Sequence, residues 1–135
     1  MLNLGMGLKV FIAPGSTDMR KSIRGLSLTV AQILNKDPRC GHVFVFCNRR
    51  RKLAKVLLYD GLGFWLVLRT LDQRKFRWPQ ASPGQTEIEV DVEQLTWLLS
   101  GLDWQKLTQE AGQRQSPSFQ EQRPEILVPD FLDLL

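Results

Sequence analysis

Four consecutive cations, Arg49-Arg50-Arg51-Lys52, follow Asn48 directly after an apolar run from Val43 to Cys47. Phosphate is the group such a block suits. A guanidinium offers paired donors to phosphate oxygens, and lysine adds a compact point charge. Two smaller basic groups stand elsewhere, Arg20, Lys21 and Arg24, and Arg74, Lys75 and Arg77. The first of these follows Pro14-Gly15 and the hydroxyls of Ser16 and Thr17, where a helix is expected to start. A helix N-terminus carries unpaired N–H groups and the positive end of the macrodipole, so cations there oppose the helix and favour an anion. Arg20 and Arg24 are also four apart, a like-charge pair costing about 0.2–0.5 kcal/mol on a helix.

The residues for bond-breaking chemistry are sparse. Metal-dependent phosphoryl transfer needs clustered carboxylates. The basic half offers only Asp18, Asp37, Asp60 and Asp72, each beside an expected helix start or turn, where aspartate has structural work. His42 is the only histidine, and no P-loop is present. Cys40 and Cys47 bracket one strand, which puts them roughly 20 Å apart, too far for a disulfide. Together with His42 they lack a fourth metal ligand nearby. No catalytic residue, metal or cofactor is expected.

The net charge of +4 hides a division. Residues 1–78 hold 15 Lys and Arg against 4 Asp and Glu, and residues 79–135 hold 3 against 10. One half faces a polyanion and the other has a different task. No apolar run reaches the length of a membrane span, and the first seven residues lack the features of a secretory signal. A cytoplasmic protein with no membrane partner is the expectation.

The elements that must position these charges follow from periodicity. Leu8–Ala13 reads as a first strand, ended by Pro14-Gly15. Met19, Ile23, Leu26, Val30 and Ile33 form one helical stripe from Asp18 to about Asn35. Val43–Cys47 is apolar on both faces and reads as a central strand. Leu53–Tyr59, Phe64–Leu71 and Lys75–Trp78 give three more strands, with turns at the basic block, at Asp60-Gly61-Leu62-Gly63 and at Asp72-Gln73. Glu87–Val90 is a short extended piece. Asp91 to Gln94 fits a capping box opening a short helix that Gly101 ends. Trp97 and Trp104 are expected as packing anchors.

The fold class is therefore α+β: a mainly antiparallel sheet of four to five strands, one long helix packed on it, and a short C-terminal helix. Residues 1–104 make the single domain. Residues 105–135 read as a linker and an acidic-apolar tail, partly disordered.

Several strings share an order and spacing with one family: Thr17-Asp18-Met19-Arg20-Lys21-Ser22, Phe44-Val45-Phe46, Asn48-Arg49-Arg50-Arg51, Asp60-Gly61, Gly63-Phe64-Trp65-Leu66 and Phe76-Arg77-Trp78-Pro79. From about Val10 to Trp104 the chain resembles the TnpB accessory proteins, the second open reading frame of bacterial insertion sequences of family sixty-six. These are distinct from the RNA-guided nuclease of the same name. The resemblance implies a helper in transposition, encoded beside a separate transposase that carries the catalytic acids.

Joined to the residues, it implies a non-catalytic DNA-binding accessory protein. Arg49, Arg50, Arg51 and Lys52 on a hairpin, with Arg20, Lys21 and Arg24 at a helix start and Arg74, Lys75 and Arg77, would meet transposon ends or non-specific duplex. A second reading gives the acidic C-terminal half the task of recruiting or regulating the transposase of the same element. RNA stays open as a ligand if Phe44, Phe46, Trp65, Phe76 or Trp78 face outward to stack on bases. An oligomer is compatible with all of these and demanded by none.

Overall fold

The computed structural model describes residues 7–114. Five strands form one mixed sheet: β1 (Val10–Ile12), β2 (Val43–Cys47), β3 (Leu53–Tyr59), β4 (Phe64–Thr70) and β5 (Ile88–Val90), in the order β4-β3-β2-β1-β5. The expected meander holds for β2, β3 and β4, whose connections are short and whose pairing is antiparallel. β1 departs from it, pairing parallel with β2 and antiparallel with β5. Parallel neighbours need a crossover, and helix α1 (Ile23–Gln32) supplies it. β2 is central and every one of its residues is buried, as its two apolar faces require.

Alternation along the strands splits the core into two layers. On one face Phe11, Phe44, Phe46 and Leu57 pack with Leu26, Val30 and Leu34 of the α1 segment. On the other, Val10, Ile12, Val43, Val45, Val56 and Leu58 meet Leu95, Leu98 and Leu99 of α2 (Val92–Leu99) and Trp104 of α3 (Trp104–Arg114). Trp97 and Trp104 are buried, as packing anchors. The α2 capping box is formed, with Asp91 accepting from the Gln94 N–H and Gln94 accepting from the Asp91 N–H.

Three expectations need correction. Among the described residues no single long helix packs on the sheet. α1 has 10 residues and starts at Ile23, because the Asp18 carboxylate accepts from the Arg20 N–H and holds the preceding segment in a turn. Its stripe ends on Leu34 instead of Ile33, which is 58% exposed; Asn35 at φ 53 closes the helix and turns Leu34 inward. Lys75–Trp78 is not a strand. Its period of two is real, since Phe76 and Trp78 are buried while Lys75 and Arg77 are exposed. The segment leaves the sheet edge, however, and those two rings fill the core face beside α2, in edge contact at 6.3 Å. Finally, the stretch read as linker from residue 105 is helical through Arg114. Besides the buried Trp104, two contacts anchor α3 further along: Leu107 packs on the core, and the Thr108 hydroxyl accepts from the Gln94 amide. The acidic-apolar end at 125–135 lies outside the described residues.

Candidate nucleic-acid interface

The turn between β2 and β3 is closed by Asn48. Its side-chain oxygen accepts from the N–H groups of Lys52 (2.9 Å) and Leu53 (3.1 Å), and its own N–H donates to the Leu53 carbonyl. Arg51 sits in the left-handed region at φ 62. A non-glycine residue there costs on the order of 1 kcal/mol or more. Its guanidinium is drawn back across the turn, donating to the carbonyls of Gly15 (2.5 Å) and Asn48 (3.4 Å). Lys52 is likewise directed inward, onto the Asp72 carbonyl at 3.2 Å. Arg49 and Arg50 are different. Both are exposed, and neither makes a hydrogen bond or ion pair among the described residues. The four cations thus divide into two that brace the turn and two that it presents.

Other basic groups gather at the same end of the sheet. The Leu71 N–H donates to the Lys52 carbonyl and the Phe76 N–H to the Arg51 carbonyl, so the segment leaving β4 lies against the basic turn. This seats Arg74, Lys75 and Arg77, all exposed, next to Arg49–Lys52. Trp78 fixes the segment from below through its indole N–H on the Ala13 carbonyl, and Trp104 donates to the Arg77 carbonyl. Arg74, Lys75 and Arg77 line an open depression of about 650 Å³ with Gly101, Leu102 and Asp103. Gly101 adopts φ 74, and a Cβ there would come within 3.1 Å of Leu71 and 3.2 Å of Arg74. Only glycine lets the end of α2 approach this wall so closely.

The loop from Pro14 to Ser22 completes the cluster. The Thr17 N–H donates to the Cys47 carbonyl, tying the loop to the end of β2. Lys55 of β3 holds its other side. Only 8% exposed, its ammonium donates to the carbonyls of Met19 and Lys21, both at 2.8 Å. Lys55 is not among the site residues expected from the sequence. A cation at a core-facing position was the available signal, because a buried charge must find partners.

The three cations of this loop and the α1 start do not act alike. Arg20 forms a bidentate pair with Asp18, 2.7 Å at its shortest, and the guanidinium holds the Asp18 carboxyl down at about 2. Lys21 reaches the Thr29 hydroxyl at 3.1 Å. Arg24 is exposed in the first turn of α1. The helix starts later than the hydroxyls of Ser16 and Thr17 suggest: its N-cap is Ser22, which makes no side-chain cap bond, and no acid lies in the first turn. Within its own first turn, the positive helix end meets no acid.

No carboxylate pairs with Arg49–Lys52 or with Arg74, Lys75 or Arg77 among the described residues, where Arg20–Asp18 and Lys36–Glu87 are the ion pairs. Three aspartates of the basic half serve local turns: Asp18 as above, Asp37 on the Arg39 N–H, and Asp60 on the Leu62 and Gly63 N–H groups. Backbone donation from Leu62, with help from Trp65 and Gly63, holds the Asp60 carboxyl below its ordinary range. Burial pushes the Cys47 thiol up, and Cys40 and Cys47 are both free. Of the five aromatic residues considered for base stacking, Phe44, Phe46, Phe76 and Trp78 are buried. Trp65 is exposed, with its indole N–H on Asp60. No helix among the described residues is long and apolar enough to cross a membrane.

Comparison with known proteins gives this geometry a context. The family described as IS66 Orf2 like protein matches residues 8–109. An uncharacterized protein of Sinorhizobium fredii, y4hO, is 42% identical over 104 residues, 77% of this chain and 89% of its own length. A second from the same organism, y4jC, is 30% identical over 114 residues, 84% of this chain and 96% of its own. No solved structure matches.

Proposed function

Since the chain belongs to the IS66 Orf2-like family and so has an accessory role in an insertion sequence, we propose that it performs this role as a non-catalytic DNA-binding protein. One observation carries the reading. Two segments far apart in sequence, 49–52 and 74–77, bring seven cations to one end of the sheet, and no carboxylate pairs with any of them among the described residues. Self-repulsion of that kind is relieved by a polyanion.

Arg49 and Arg50 are the leading contacts, because the turn projects them while Arg51 and Lys52 hold it in shape. Arg74, Lys75 and Arg77 extend the track along one side. The α1 start, with Lys21 and Arg24, offers N–H groups and positive charge to a further phosphate. β2 and β3 lie inside the sheet, so it is the turn between them, with Arg49 and Arg50, that meets the backbone or the mouth of a groove. Catalysis is left out because Asp18, Asp37 and Asp60 are engaged by their own turns. Duplex DNA is favoured over unpaired RNA because four of the five candidate stacking rings are in the core.

Salt-titrated binding of the full chain to element-end duplex, random duplex and RNA tests this. With four to six phosphates neutralised, log affinity falls against log salt with a slope of about −4 to −5. A flat curve, or a clear preference for RNA over both duplexes, overturns the proposal.

A further inference from the structure

β4 is a terminal strand of the sheet, so the N–H and C=O groups along its outer rim have no strand to pair with among the described residues. An exposed edge of seven residues normally carries some protection, such as a proline, a bulge or an outward lysine. Phe64-Trp65-Leu66-Val67-Leu68-Arg69-Thr70 has none of these. Its one charge, Arg69, is turned aside, with Nε donating to the Leu99 carbonyl at 3.0 Å. Leu68 is 56% exposed and Trp65 38%.

We propose that this edge pairs with β4 of a second copy, antiparallel about Val67, joining two sheets into one of ten strands. The occupant is chosen by self-complementarity. A two-fold axis at Val67 sets Leu66 opposite Leu68 of the other copy on the α1 face, and Trp65 opposite Arg69 on the other face. This register keeps the two Arg69 residues from facing each other, so neither has to leave its Leu99 carbonyl and no like-charge pair forms across the seam. Leu68, exposed in one copy, gains a leucine neighbour. The contact is isologous and closes on itself, so it stops at a dimer and does not propagate. A seam of two seven-residue strands is short for an interface, so a weak, concentration-dependent dimer is expected. The basic end lies where β4 finishes, so antiparallel pairing sends the two basic ends to opposite ends of the joined sheet. This inference does not depend on DNA being the ligand.

Sedimentation velocity on the full chain, across its micromolar range, tests the stoichiometry. A monomer–dimer equilibrium is expected, with Leu68→Lys weakening it about tenfold or more while circular dichroism stays unchanged. Register is tested by oxidation in a Cys40→Ser background. Val67→Cys faces itself across the axis, with Cα atoms about 4.5–5.5 Å apart, and yields a disulfide-linked dimer. Thr70→Cys, whose counterpart is roughly 20 Å from its own equivalent, does not. A monomer throughout the range, a dimer indifferent to Leu68→Lys, or equal cross-linking at the two positions overturns the proposal. Protection from hydrogen exchange of those β4 amides that point away from β3, in a persistent monomer, would likewise overturn it, assigning the edge to the chain's own residues after 114.

Discussion

Two turns of one meander, Asn48–Lys52 and Asp60–Gly63, close their hairpins with the same device. In each, a side-chain oxygen at the first position accepts two backbone N–H groups: Lys52 and Leu53 on Asn48, Leu62 and Gly63 on Asp60. Each also contains one residue at positive φ. In the second turn this is Gly61 at φ 96, which suffers no steric cost, whereas in the first it is Arg51 at φ 62. The second turn carries one charge, met by local donors. The first carries four cations with no carboxylate partner among the described residues. Closing a hairpin therefore does not require the strain or the repulsion seen at Asn48–Lys52. Features that work against local stability point to a use outside the chain.

The comparison breaks most readily at Arg49 and Arg50. Changing both to Ala is expected to weaken duplex binding about 10- to 100-fold at moderate salt and to reduce the salt slope by about 2. Melting should move by no more than about 0.5 kcal/mol equivalent, since neither side chain has a partner to lose among the described residues. A large drop in stability with unchanged binding would make these arginines structural and remove the distinction between the turns.

Asn48 separates the cap from the charge. Asn48→Ala removes acceptors from two N–H groups and is expected to cost about 1–2 kcal/mol in denaturant unfolding. Asn48→Asp keeps both bonds and gives the first turn the cap of the second. Its stability should stay near that of the parent, while the added carboxylate cancels about one charge and lowers the salt slope by about 1. Equal DNA binding by the two variants would show that charge at this turn does not matter.

The sequence made the turns legible because their chemistry is local. Asn before a cation run and Asp-Gly-Leu-Gly both announce themselves, as does the Asp91–Gln94 capping box. β2 was readable for a related reason: apolar residues on both faces imply a central strand. What escaped depended on distant partners. The parallel pairing of β1 with β2 rests on a crossover whose direction no residue encodes. Phe76 and Trp78 alternate like strand residues, and only the three-dimensional core shows that they serve as a floor for Arg74–Arg77. α3 has a thin apolar stripe, so Leu107 and the Gln94–Thr108 bond were invisible beforehand. At the site, periodicity located every cation yet could not say which would be free. Arg20 and Arg49 look equivalent as letters, and Asp18 decides between them.

The smallest effect concerns the second turn and pH. Asp60 is held below its ordinary range in the folded chain, and Asp18 lies at about 2. A depressed carboxyl adds stability at pH values above its unfolded pKa, and the gain disappears as pH falls through the folded one. For both groups the loss begins at the ordinary carboxylate value and runs below it; for Asp18 it extends down to about 2. Asp60→Asn retains an oxygen for the Leu62 and Gly63 N–H groups but places an amide against the Trp65 indole N–H, losing that bond. The variant should melt slightly lower at neutral pH and show a flatter acid limb in melting temperature against pH. Its duplex affinity at neutral pH should match the parent. Were Asp60→Asn to change DNA binding as much as Asn48→Asp, both turns would have to touch the ligand, and charge would no longer distinguish one hairpin end from the other.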